Sequence, residues 1–389
     1  MNNILYIPSW YPNRTAPADG NFIKRLIEAD ARYDKVSVLF ATPDPMLKAK
    51  YQIAVTDNNG YCEVIVYFRQ VKGNSLFALP AKVFRRMGAN RMGLKELKKC
   101  GVAPQLIHVQ AALPAILYAR RLSRRLNIPY LVTEHGIGYQ LSEKKSLTDK
   151  LLFRFMKAAY AGAAVIVTVS RYLGEAMRNN GIKNDYRVIP NVVPLPDTPM
   201  PAGAAPPAKK RILHISTLAE VKNAHGIINA IKQVSLKRND FELLVVSDTE
   251  EQKELKEYVN ASGLNGGVVK FLPYIHDSSE ILKLISSSSF MVLFSNYETF
   301  SVVLAESLWA GRPVVTSKCG GPEEFISPEF GLLVEPRDEK GLERAITTML
   351  DTSSNYDPAK MRLFARTHFA PEVIGKRLCD LHNEILKGR

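Results

Sequence analysis

The sequence predicts an α/β fold made of two doubly wound domains. The chain has 389 residues, which favours two domains over one or four because a domain commonly holds about 100–200 residues. Short apolar runs such as residues 165–167 alternate with amphipathic helical segments, a pattern typical of parallel sheets buried on both faces. Residues 190–208 interrupt this alternation with seven prolines. We therefore predict one domain on each side of a proline-rich linker.

The first domain is predicted over residues 1–190. Its strands are expected at residues 3–7, 35–40, 64–67, 106–109, 130–133, 164–168 and 186–189. Its helices are expected at residues 21–32, 81–99, 112–126, 148–161 and 171–179. Each strand is short and mostly apolar, so these segments together predict one buried, mainly parallel sheet.

The linker is predicted over residues 191–208 and the second domain over residues 209–370, where the alternation restarts. Its strands are expected at residues 211–215, 242–247, 268–272, 290–294 and 313–316. Its helices are expected at residues 223–237, 252–262, 278–286, 301–310, 340–350 and 358–368, with a last helix at 371–387. Ligands of open α/β sheets bind beyond the carboxyl ends of the strands, so we expect a site in a cleft between the domains.

The charge of the chain is concentrated in its first half. Hydrophobic residues make up 46% and charged residues 23%, which excludes wholesale disorder. Lysine and arginine number 52 against 38 acidic residues, a net charge of +14. Residues 1–190 contain 29 basic and 13 acidic residues, and the remaining chain contains 23 and 25. This surplus predicts an anionic partner in the first half: nucleic acid, anionic lipid or a phosphorylated ligand.

Cysteine usage and hydropathy indicate a cytoplasmic protein. The four cysteines, at 62, 100, 319 and 379, show no paired spacing, so we expect a reducing compartment without a zinc site. The first ten residues, MNNILYIPSW, lack the basic and long apolar regions of a signal peptide. No stretch approaches the roughly 20 apolar residues of a spanning helix, so any membrane contact would be peripheral.

Two basic segments have two open interpretations. AKVFRRMGANRMGLKELKKC, residues 81–100, and YARRLSRRLNI, residues 118–128, mix basic with apolar side chains. Such helices can lie in an anionic membrane interface on the inner face of the membrane, but solvated helix faces explain the same residues. We favour the interfacial interpretation because the charge surplus is confined to one domain.

The stretch SNYETFSVVLAE, residues 295–306, carries the clearest chemistry. Glu298 follows a predicted strand, and Glu306 lies inside the helix that comes next. The free amides at a helix start bind anions, and carboxylates accept hydrogen bonds from sugar hydroxyls. Both glutamates could instead be ordinary helix residues. The apolar neighbours of Glu306 favour a buried carboxylate, which needs a partner.

ETFSVVLAE resembles the Glu-x7-Glu signature of retaining glycosyltransferases of the GT-B fold, in particular glycosyltransferase family 4. The following AGRPVV and CGGPEE are similar to that family's A-x-G-x-P-V-V and G-G-x-x-E runs. Upstream, SWYPNRTAPADGNF, LIHVQAALPA, YLVTEHGIGY, VTVSRYL and VIPNVV occur in the family's order. The resemblance covers nearly the whole chain. It implies two Rossmann-like domains facing a central cleft, with the last helix returning to the first domain.

In the second domain the resemblance implies the groups that bind the donor. Glu298 would contact the donor sugar hydroxyls and Glu306 the ribose, while Lys222 would bind the diphosphate. The family's second phosphate-binding residue, an arginine, falls on Thr217, so one charge is missing. The remaining expected donor-binding residues are Asn223, Tyr274, Ile275, Thr299, Phe300 and Ser301. Tyr274 and Ile275 would recognise the base, although packing at a strand end explains them equally well.

In the first domain the resemblance implies a role for His135 in the transfer. His135, in TEHGIGY, resembles the family histidine near the reacting centre, and we expect it to hydrogen-bond the sugar rather than act as the essential base. His135 and Glu298 are thus the expected catalytic residues. Gly20 is a further expected donor-binding residue and would allow close approach of a phosphate or the acceptor, with Asp19 and Asn21 as acceptor-side candidates. A helix cap explains Asp19 equally well.

The sequence therefore predicts a retaining, metal-independent glycosyltransferase of the hexosyltransferase type. It would move a sugar from a UDP- or GDP-sugar to a glycan or lipid-linked acceptor in cell-surface polysaccharide or glycolipid synthesis, with no cofactor. No Asp-x-Asp motif, a common metal-binding signature in glycosyltransferases, occurs. A GT-B epimerase or phosphorylase, a silent sugar-nucleotide-binding homologue and a basic nucleic-acid-binding protein remain alternatives. We expect no nucleic acid, since no recognition motif accompanies the charge.

Overall fold

The computed structural model describes residues 1–388 except 18, 59, 72–77, 140–146, 195–208, 248, 265–266 and 276. Most of the predicted linker, from residue 195 on, lies outside the described residues. The chain divides into two compact units. Unit 1 holds Met1–Val192 and Pro371–Arg389, and unit 2 holds Val193–Ala370. Each unit has its own sheet and its own apolar core.

Unit 1 is built on an eight-stranded sheet. In chain order its strands are β1 Asn3–Pro8, β2 Lys35–Asp44, β3 Tyr51–Asn58, β4 Tyr61–Arg69, β5 Leu106–Gln110, β6 Tyr130–Glu134, β7 Ile166–Thr168 and β8 Tyr186–Val188. Their spatial order is β3-β4-β2-β1-β5-β6-β7-β8, and every neighbouring pair is parallel except β3 with β4. The central strands β1, β5 and β6 are buried apart from Asn3 at the start of β1, which explains their continuous apolar runs.

Helices connect most of these strands: α1 Asn21–Asp30, α2 Ala78–Lys99, α3 Ala115–Leu126, α4 Leu147–Ala161 and α5 Arg171–Asn179. The apolar faces of α1 and α3 pack on the sheet, with Ile23, Leu26 and Ile116 fully buried. Helices between parallel strands give the predicted doubly wound arrangement.

Unit 2 is built on a six-stranded parallel sheet. Its strands are β9 Lys210–Ile215, β10 Phe241–Val246, β11 Val269–Leu272, β12 Phe290–Leu293, β13 Val314–Ser317 and β14 Gly331–Val334. Their spatial order is β11-β10-β9-β12-β13-β14. Its helices are α6 Ala224–Ser235, α7 Glu251–Ala261, α8 Ser278–Ser286, α9 Val302–Trp309, α10 Glu339–Thr352 and α11 Pro358–Phe369.

The last helix, α12 Pro371–Lys387, belongs to unit 1 although it follows unit 2 in the chain. It packs against α1, and its Ile374, Leu378 and Leu381 join the core of unit 1. The hydroxyl of Tyr33 donates to the carbonyl oxygen of Glu372 at 3.1 Å. The predicted return of this helix to the first domain is confirmed.

Two strands, β3 and β14, were not predicted from the sequence. Most side chains of β3 are half-exposed or exposed, because it is an antiparallel edge strand, so it lacks the apolar run by which the other strands were predicted. β14 is four residues long and also lies at a sheet edge. The predicted strands and helices are otherwise present, with ends that differ by a few residues.

Candidate functional site

The strand order of unit 2 reverses between β9 and β12. From β9 the chain proceeds outward to β10 and β11, and then returns to β12 on the other side of β9. Loops that leave the carboxyl ends of two such strands diverge to opposite faces of the sheet, and the crevice between them is the usual ligand site of open α/β sheets. Lys222 follows β9 and Glu298 follows β12, so the fold brings both expected donor-binding residues to this point.

Lys222 and Glu298 form a short ion pair in that crevice. The Nζ atom of Lys222 lies 2.5 Å from Oε1 of Glu298, and the Glu298 side chain is almost fully buried. The same oxygen accepts a hydrogen bond from the hydroxyl of buried Ser295 at 2.9 Å. A buried carboxylate requires such partners, because desolvating an unpaired charge is costly. The two residues thus present one ammonium and one carboxylate at the edge of the sheet.

Backbone hydrogen bonds hold the loops that carry this pair. The amide of Asn296 donates to the carbonyl oxygen of Val221 at 2.7 Å, which ties the loop after β12 to the turn before Lys222. Glu298 forms a parallel bridge with Gly320, and its amide donates to the carbonyl oxygen of Cys319 at 3.0 Å. The ion pair therefore lies on loops that are fixed to the sheet.

The turn after β9 is positioned by a buried histidine. His214 Nε2 lies 2.8 Å from the Ser216 hydroxyl oxygen, which also accepts from the amide of Leu218 at 3.0 Å. Its Nδ1 lies 3.0 Å from the carbonyl oxygen of Val292. Burial lowers the pKa of His214 to about 4, so the ring is neutral near pH 7. Thr217, at the expected arginine position, is exposed, and its carbonyl oxygen accepts from the Thr249 hydroxyl at 2.9 Å.

Asn223 caps the helix that follows Lys222. It has a positive φ of 47°, and its side-chain oxygen accepts from the amide of Gly226 at 3.3 Å. This cap fixes the start of α6. The structure thus gives Asn223 a local structural role, while its expected donor contact remains a prediction.

Helix α9 begins one residue later than expected, at Val302. Ser301 precedes it with a positive φ of 73°, so the expected donor-binding residues Thr299, Phe300 and Ser301 form an approach to the helix rather than its first turn. The Ser301 hydroxyl is buried and has no hydrogen-bond partner among the described residues. Glu306 is buried within α9, as its apolar neighbours predicted.

Gly321 and a cluster of aromatic rings pack against residues 299–301, the segment that precedes α9. A Cβ on Gly321 would collide with the backbone of Thr299 and Phe300, so only glycine fits under this loop. The Phe300 ring contacts Phe325 and Phe369, with ring centroids 5.2 Å away in each case. The Phe300 side chain is therefore buried, which leaves its backbone as the part available to a ligand.

Tyr274 and Ile275 follow β11 at the same carboxyl edge of the sheet. Both are half-buried, and β11 lies two strands away from β9. They remain candidates for base recognition.

Unit 1 reverses its strand order between β1 and β5. Gly20 stands at the start of α1, with a φ of 70°, and a Cβ there would lie 2.7 Å from the carbonyl carbon of Trp10. Gly20 itself is the N-cap of α1, so the alternative role of Asp19 as the cap is wrong. Asp19 is exposed and Asn21 is the first residue of the helix.

His135 lies beyond β6 at this edge and is buried. Its Nε2 is 2.8 Å from Oε1 of Gln110, and its ring centroid is 4.9 Å from that of Phe22. Burial lowers the pKa of His135 to about 3, so the ring is neutral near pH 7. A neutral imidazole can give or accept one hydrogen bond at each nitrogen but cannot stabilise an anion as a cation would.

Glu134 anchors the loop that carries His135. Its Oε1 accepts from the amide of Ala112 at 2.8 Å, from the Tyr139 hydroxyl at 3.2 Å and from the Tyr160 hydroxyl. Burial raises the pKa of Glu134, although these hydrogen bonds act to lower it. These contacts fix the end of β6 next to His135.

The basic segments of unit 1 are only partly surface features. Arg86 donates to the carbonyl oxygen of Ala41 at 2.7 Å, and burial lowers its pKa to about 10, so it belongs to the packing of α2. Arg91, Lys95, Lys98 and Lys99 of the same helix are exposed, as is Phe84, at 72%. Within the described ranges, no helix is both long and apolar enough to span a membrane.

Three residues at these edges were not predicted from the sequence. Ser295 binds Glu298, Gln110 binds His135, and the half-exposed Trp10 lies beside Gly20 and Gly136. For Gln110 a signal was available, because a polar residue in a buried parallel strand requires a partner. Among the described residues, one cluster has a geometry able to hold a metal ion, namely Asp30, Asp34 and His382 in unit 1.

Two family models match adjoining parts of the chain. "Glycosyltransferase Family 4" matches residues 20–196, and "Glycosyl transferases group 1" matches residues 199–366. Together they span most of the chain, and the boundary between the matches falls in the predicted linker.

Curated relatives and solved structures agree with these models. The chain is 24% identical to TuaC of Bacillus subtilis, a candidate teichuronic acid biosynthesis glycosyltransferase, over 88% of each chain. It is 26% identical to the lipopolysaccharide core biosynthesis glycosyltransferase LpsD of Rhizobium meliloti, over 77% of this chain and 82% of that one. The structure of sucrose-phosphate synthase of Thermosynechococcus elongatus matches this chain over the full length of both, with a TM-score of 0.77 and 19% identity.

HepE of Anabaena, solved with UDP and glucose, has a TM-score of 0.71 and 17% identity, over 98% of this chain and all of that one. At these identities the structural likenesses show the fold. Together with the family models, they show that the chain is a glycosyltransferase of family 4 with the GT-B fold.

Proposed function

We propose that the protein transfers a sugar, with retention of anomeric configuration, from a nucleoside-diphosphate sugar bound by unit 2 to an acceptor hydroxyl. The observation that carries this proposal is the Lys222–Glu298 pair at the strand-order reversal of unit 2. A cation suits a diphosphate, and a carboxylate suits sugar hydroxyls. The two are held 2.5 Å apart on fixed loops, where one ligand could contact both.

The rest of the donor would bind along α9. The amides at the start of this helix offset phosphate charge, and the buried hydroxyl of Ser301 offers a further polar contact. Glu306 would accept hydrogen bonds from the ribose. Because Thr217 contributes no charge, Lys222 is the single side-chain cation that we assign to the diphosphate. HepE, whose structure was solved with UDP-glucose, supports a UDP-sugar donor; GDP remains the alternative base.

The proposed transfer needs no protein group as a strong base. The acceptor oxygen forms the new bond to the anomeric carbon as the bond from that carbon to the diphosphate oxygen breaks on the same face. The acceptor's proton passes to the departing phosphate oxygen. His135, neutral because burial lowers its pKa to about 3, would contribute hydrogen bonding to the sugar. Lys222 and the α9 amides would stabilise the charge that develops on the diphosphate, and we assign no metal ion to this step.

The acceptor is proposed to be a glycan or lipid-linked intermediate of cell-surface polysaccharide or glycolipid synthesis. The names of TuaC and LpsD place those relatives in such syntheses. The charge of the chain supports an anionic acceptor or membrane surface, since residues 1–190 hold 29 basic and 13 acidic residues.

Exposed apolar side chains among these basic residues support peripheral membrane binding by unit 1. Phe84 on α2 is 72% exposed and Phe155 on α4 is 58% exposed. Aromatic side chains next to lysine and arginine favour the interface of an anionic membrane.

A donor panel tests the reaction. The purified protein is assayed with UDP- and GDP-sugars and candidate acceptors, and Lys222→Ala and Glu298→Ala are compared with wild type. We expect turnover to fall about 100-fold in each variant, because a preorganised charge is lost. Lys318→Ala is the matched control, since this lysine follows β13 and pairs with exposed Glu335 at 2.6 Å. Unchanged turnover in both site variants would refute the assignment, and a new sugar nucleotide formed without acceptor would indicate an epimerase.

Vesicle sedimentation tests whether unit 1 binds an anionic membrane. Vesicles with and without anionic lipid are compared for wild type, Phe84→Ala and Leu363→Ala. Leu363, on α11 of unit 2, is 63% exposed and serves as the control. We expect binding to anionic vesicles that weakens in Phe84→Ala alone. Equal weak binding to neutral and anionic vesicles would exclude the interface.

A further inference from the structure

A series of buried polar side chains runs through unit 1 from His135 to helix α12. His135 contacts Gln110 at 2.8 Å, and Gln110 contacts His108 at 3.1 Å. Nδ1 of His108 lies 3.1 Å from Nε2 of His382, and Nδ1 of His382 lies 3.0 Å from Oδ2 of Asp34. All five side chains are buried. We call these five residues the polar relay.

Burial makes the direction of each hydrogen bond in the relay matter. A buried donor facing a donor, or an acceptor facing an acceptor, would leave both groups without a hydrogen bond, which is costly in a site without water. Each imidazole nitrogen is either a donor or an acceptor, so fixing one end of the relay fixes the groups that follow.

The fixed end is Asp34. A carboxylate accepts hydrogen bonds and donates none, and Oδ2 of Asp34 lies 3.0 Å from Nδ1 of His382. Its Oδ1 is already used by the Asn2 amide at 2.9 Å. His382 must therefore donate from Nδ1. Its Nε2 lies 3.1 Å from Nδ1 of His108, and the Gln110 amide nitrogen that faces the other nitrogen of His108 makes Nδ1 of His108 the donor in this contact.

His108 donates a hydrogen bond on one side of its ring and accepts one on the other, so it links His382 to Gln110. Burial lowers the pKa of His108 well below its usual value, so the ring has one proton, which the contact with His382 places on Nδ1. Its Nε2 then accepts one hydrogen bond, for which the Gln110 amide nitrogen and the Thr133 hydroxyl, 2.7 Å away, are the available donors. The Gln110 amide is oriented with its nitrogen towards His108 and its oxygen towards His135, as this direction requires.

We propose that Gln110, His108 and His382 are positioning residues that fix the proton of His135 on Nε2 and hold the orientation of its ring. Helix α12 would thus determine the tautomer of the histidine assigned to the transfer. The importance of this relay for catalysis rests on the proposed role of His135, whereas the tautomer itself does not. A catalytic histidine in the wrong tautomer loses much of its effect, so the relay gives the returning helix a chemical role beyond packing.

The hydrogen bonds of the relay would run in the opposite direction if an ion were bound by His382 and its neighbours Asp30 and Asp34. Asp30 Oδ1 lies 3.6 Å from Nδ1 of His382, and its other oxygen accepts from the Tyr6 hydroxyl at 2.8 Å. An ion bound by Asp30, Asp34 and His382 would occupy Nδ1 of His382 and force its proton to Nε2. That would reverse the relay and place the proton of His135 on Nδ1, so the tautomer of His135 distinguishes the two arrangements.

Nitrogen NMR of protein labelled with 15N-histidine measures this tautomer directly. The chain has seven histidines, and the signals of His135 are identified by their loss in His135→Asn. We expect wild-type His135 to be protonated on Nε2. Gln110→Glu should keep this tautomer, because a carboxylate still accepts from Nε2, whereas Gln110→Leu should not. His214, buried in unit 2, is the internal control and should be unchanged in every variant.

Two substitutions at position 382 test the role of α12. His382→Leu removes the acceptor for His108 and should yield a mixture of His135 tautomers. Because leucine leaves Asp34 without its partner, His382→Gln provides a second variant, whose amide oxygen can accept from His108 and should restore the wild-type tautomer. Melting temperatures measured alongside establish that each variant is folded.

Activity measurements separate positioning from donor binding. In Gln110→Leu and His382→Leu we expect kcat to fall about tenfold, while the KM for the donor changes by less than about twofold. A proton on Nδ1 of wild-type His135, or a tautomer unaffected by both leucine variants, would overturn the relay. If the wild-type protein transfers no sugar, the proposed function fails while the tautomer measurement still decides the relay.

Discussion

The carboxyl edges of the two sheets differ in how their polar groups are balanced. In unit 2 the edge holds charged groups. Lys222 lies 2.5 Å from Glu298, and Glu306, on the helix α9 that follows Glu298 in the chain, is buried. In unit 1 the expected catalytic side chain is neutral: His135 forms a hydrogen bond with Gln110, and burial lowers the pKa of His135 to about 3. The neighbouring Glu134 is occupied by hydrogen bonds from the protein itself. Full charges suit a diphosphate and neutral hydrogen bonds suit hydroxyls, so each unit is suited to a different part of the proposed reaction.

The largest expected effect comes from removing one charge from the unit 2 edge. Glu298→Gln keeps the size of the side chain but deprives Lys222 of its partner and the donor sugar of a charged acceptor. We expect turnover to fall about 100-fold. Glu335→Gln is the control, because its carboxylate pairs with Lys318 on the surface. Steady-state rates with the cognate donor measure both, and equal rates in the two variants would show that charge at Glu298 does not matter.

A smaller effect is expected at Glu306. Glu306→Gln should raise the KM for the donor about tenfold and leave kcat nearly unchanged, since a hydrogen bond from the ribose to a charged group is weakened. Glu339→Gln, which alters an exposed glutamate bound to Asn229, is the control. A fall in kcat without a change in KM would contradict the ribose assignment.

The residues of the unit 2 edge were predicted from the sequence, but their contact was not. Lys222 and Glu298 were found by resemblance, yet they are 76 positions apart, and their pairing depends on β9 and β12 being neighbours in the sheet. Ser295 was missed because a serine after a strand carries no distinctive pattern.

The unit 1 edge was less predictable. His135 was found by resemblance, but its bond to Gln110 and the path to His382 join residues from β5 and a helix at the other end of the chain. Hydrophobic runs predicted the buried strands well for the same reason that they missed β3, whose edge position leaves most of its side chains partly or fully exposed. Long-range polar contacts require the fold, which local patterns do not encode.

Restoring the missing cation would sharpen the contrast between the units. Thr217 is exposed beside the turn that carries Lys222, so Thr217→Arg should place a second cation near the diphosphate. We expect the KM for the donor to fall about threefold, with Thr217→Gln as a neutral control of similar length. An unchanged KM in both would mean that position 217 does not face the diphosphate.

The smallest expected effect on activity is that of pH on the unit 1 edge. The pKa values of His135 and His214 are lowered to about 3 and 4, so neither ring titrates between pH 6 and 8, and kcat should show no ionisation from them. Stability should behave differently. The unfolded chain binds these protons near pH 6.5 and the folded chain does not, so the free energy of unfolding should fall as pH decreases from about 6.5 to 4.

Chemical denaturation at several pH values across that range measures the free energy of unfolding. In His214→Gln this free energy should depend less steeply on pH than in wild type. A steeper slope in this variant than in wild type would contradict a buried, neutral His214.

Nucleotide-dependent thermal stability tests the central claim most directly, namely that the charged edge of unit 2 binds a nucleoside diphosphate. The melting temperatures of wild type and Lys222→Ala are measured with UDP and with GDP. We predict that one of the two nucleotides raises the melting temperature of wild type by a few degrees, and that this rise is largely lost in Lys222→Ala. A wild-type protein that neither nucleotide stabilises, or an equal rise in Lys222→Ala, would contradict the account.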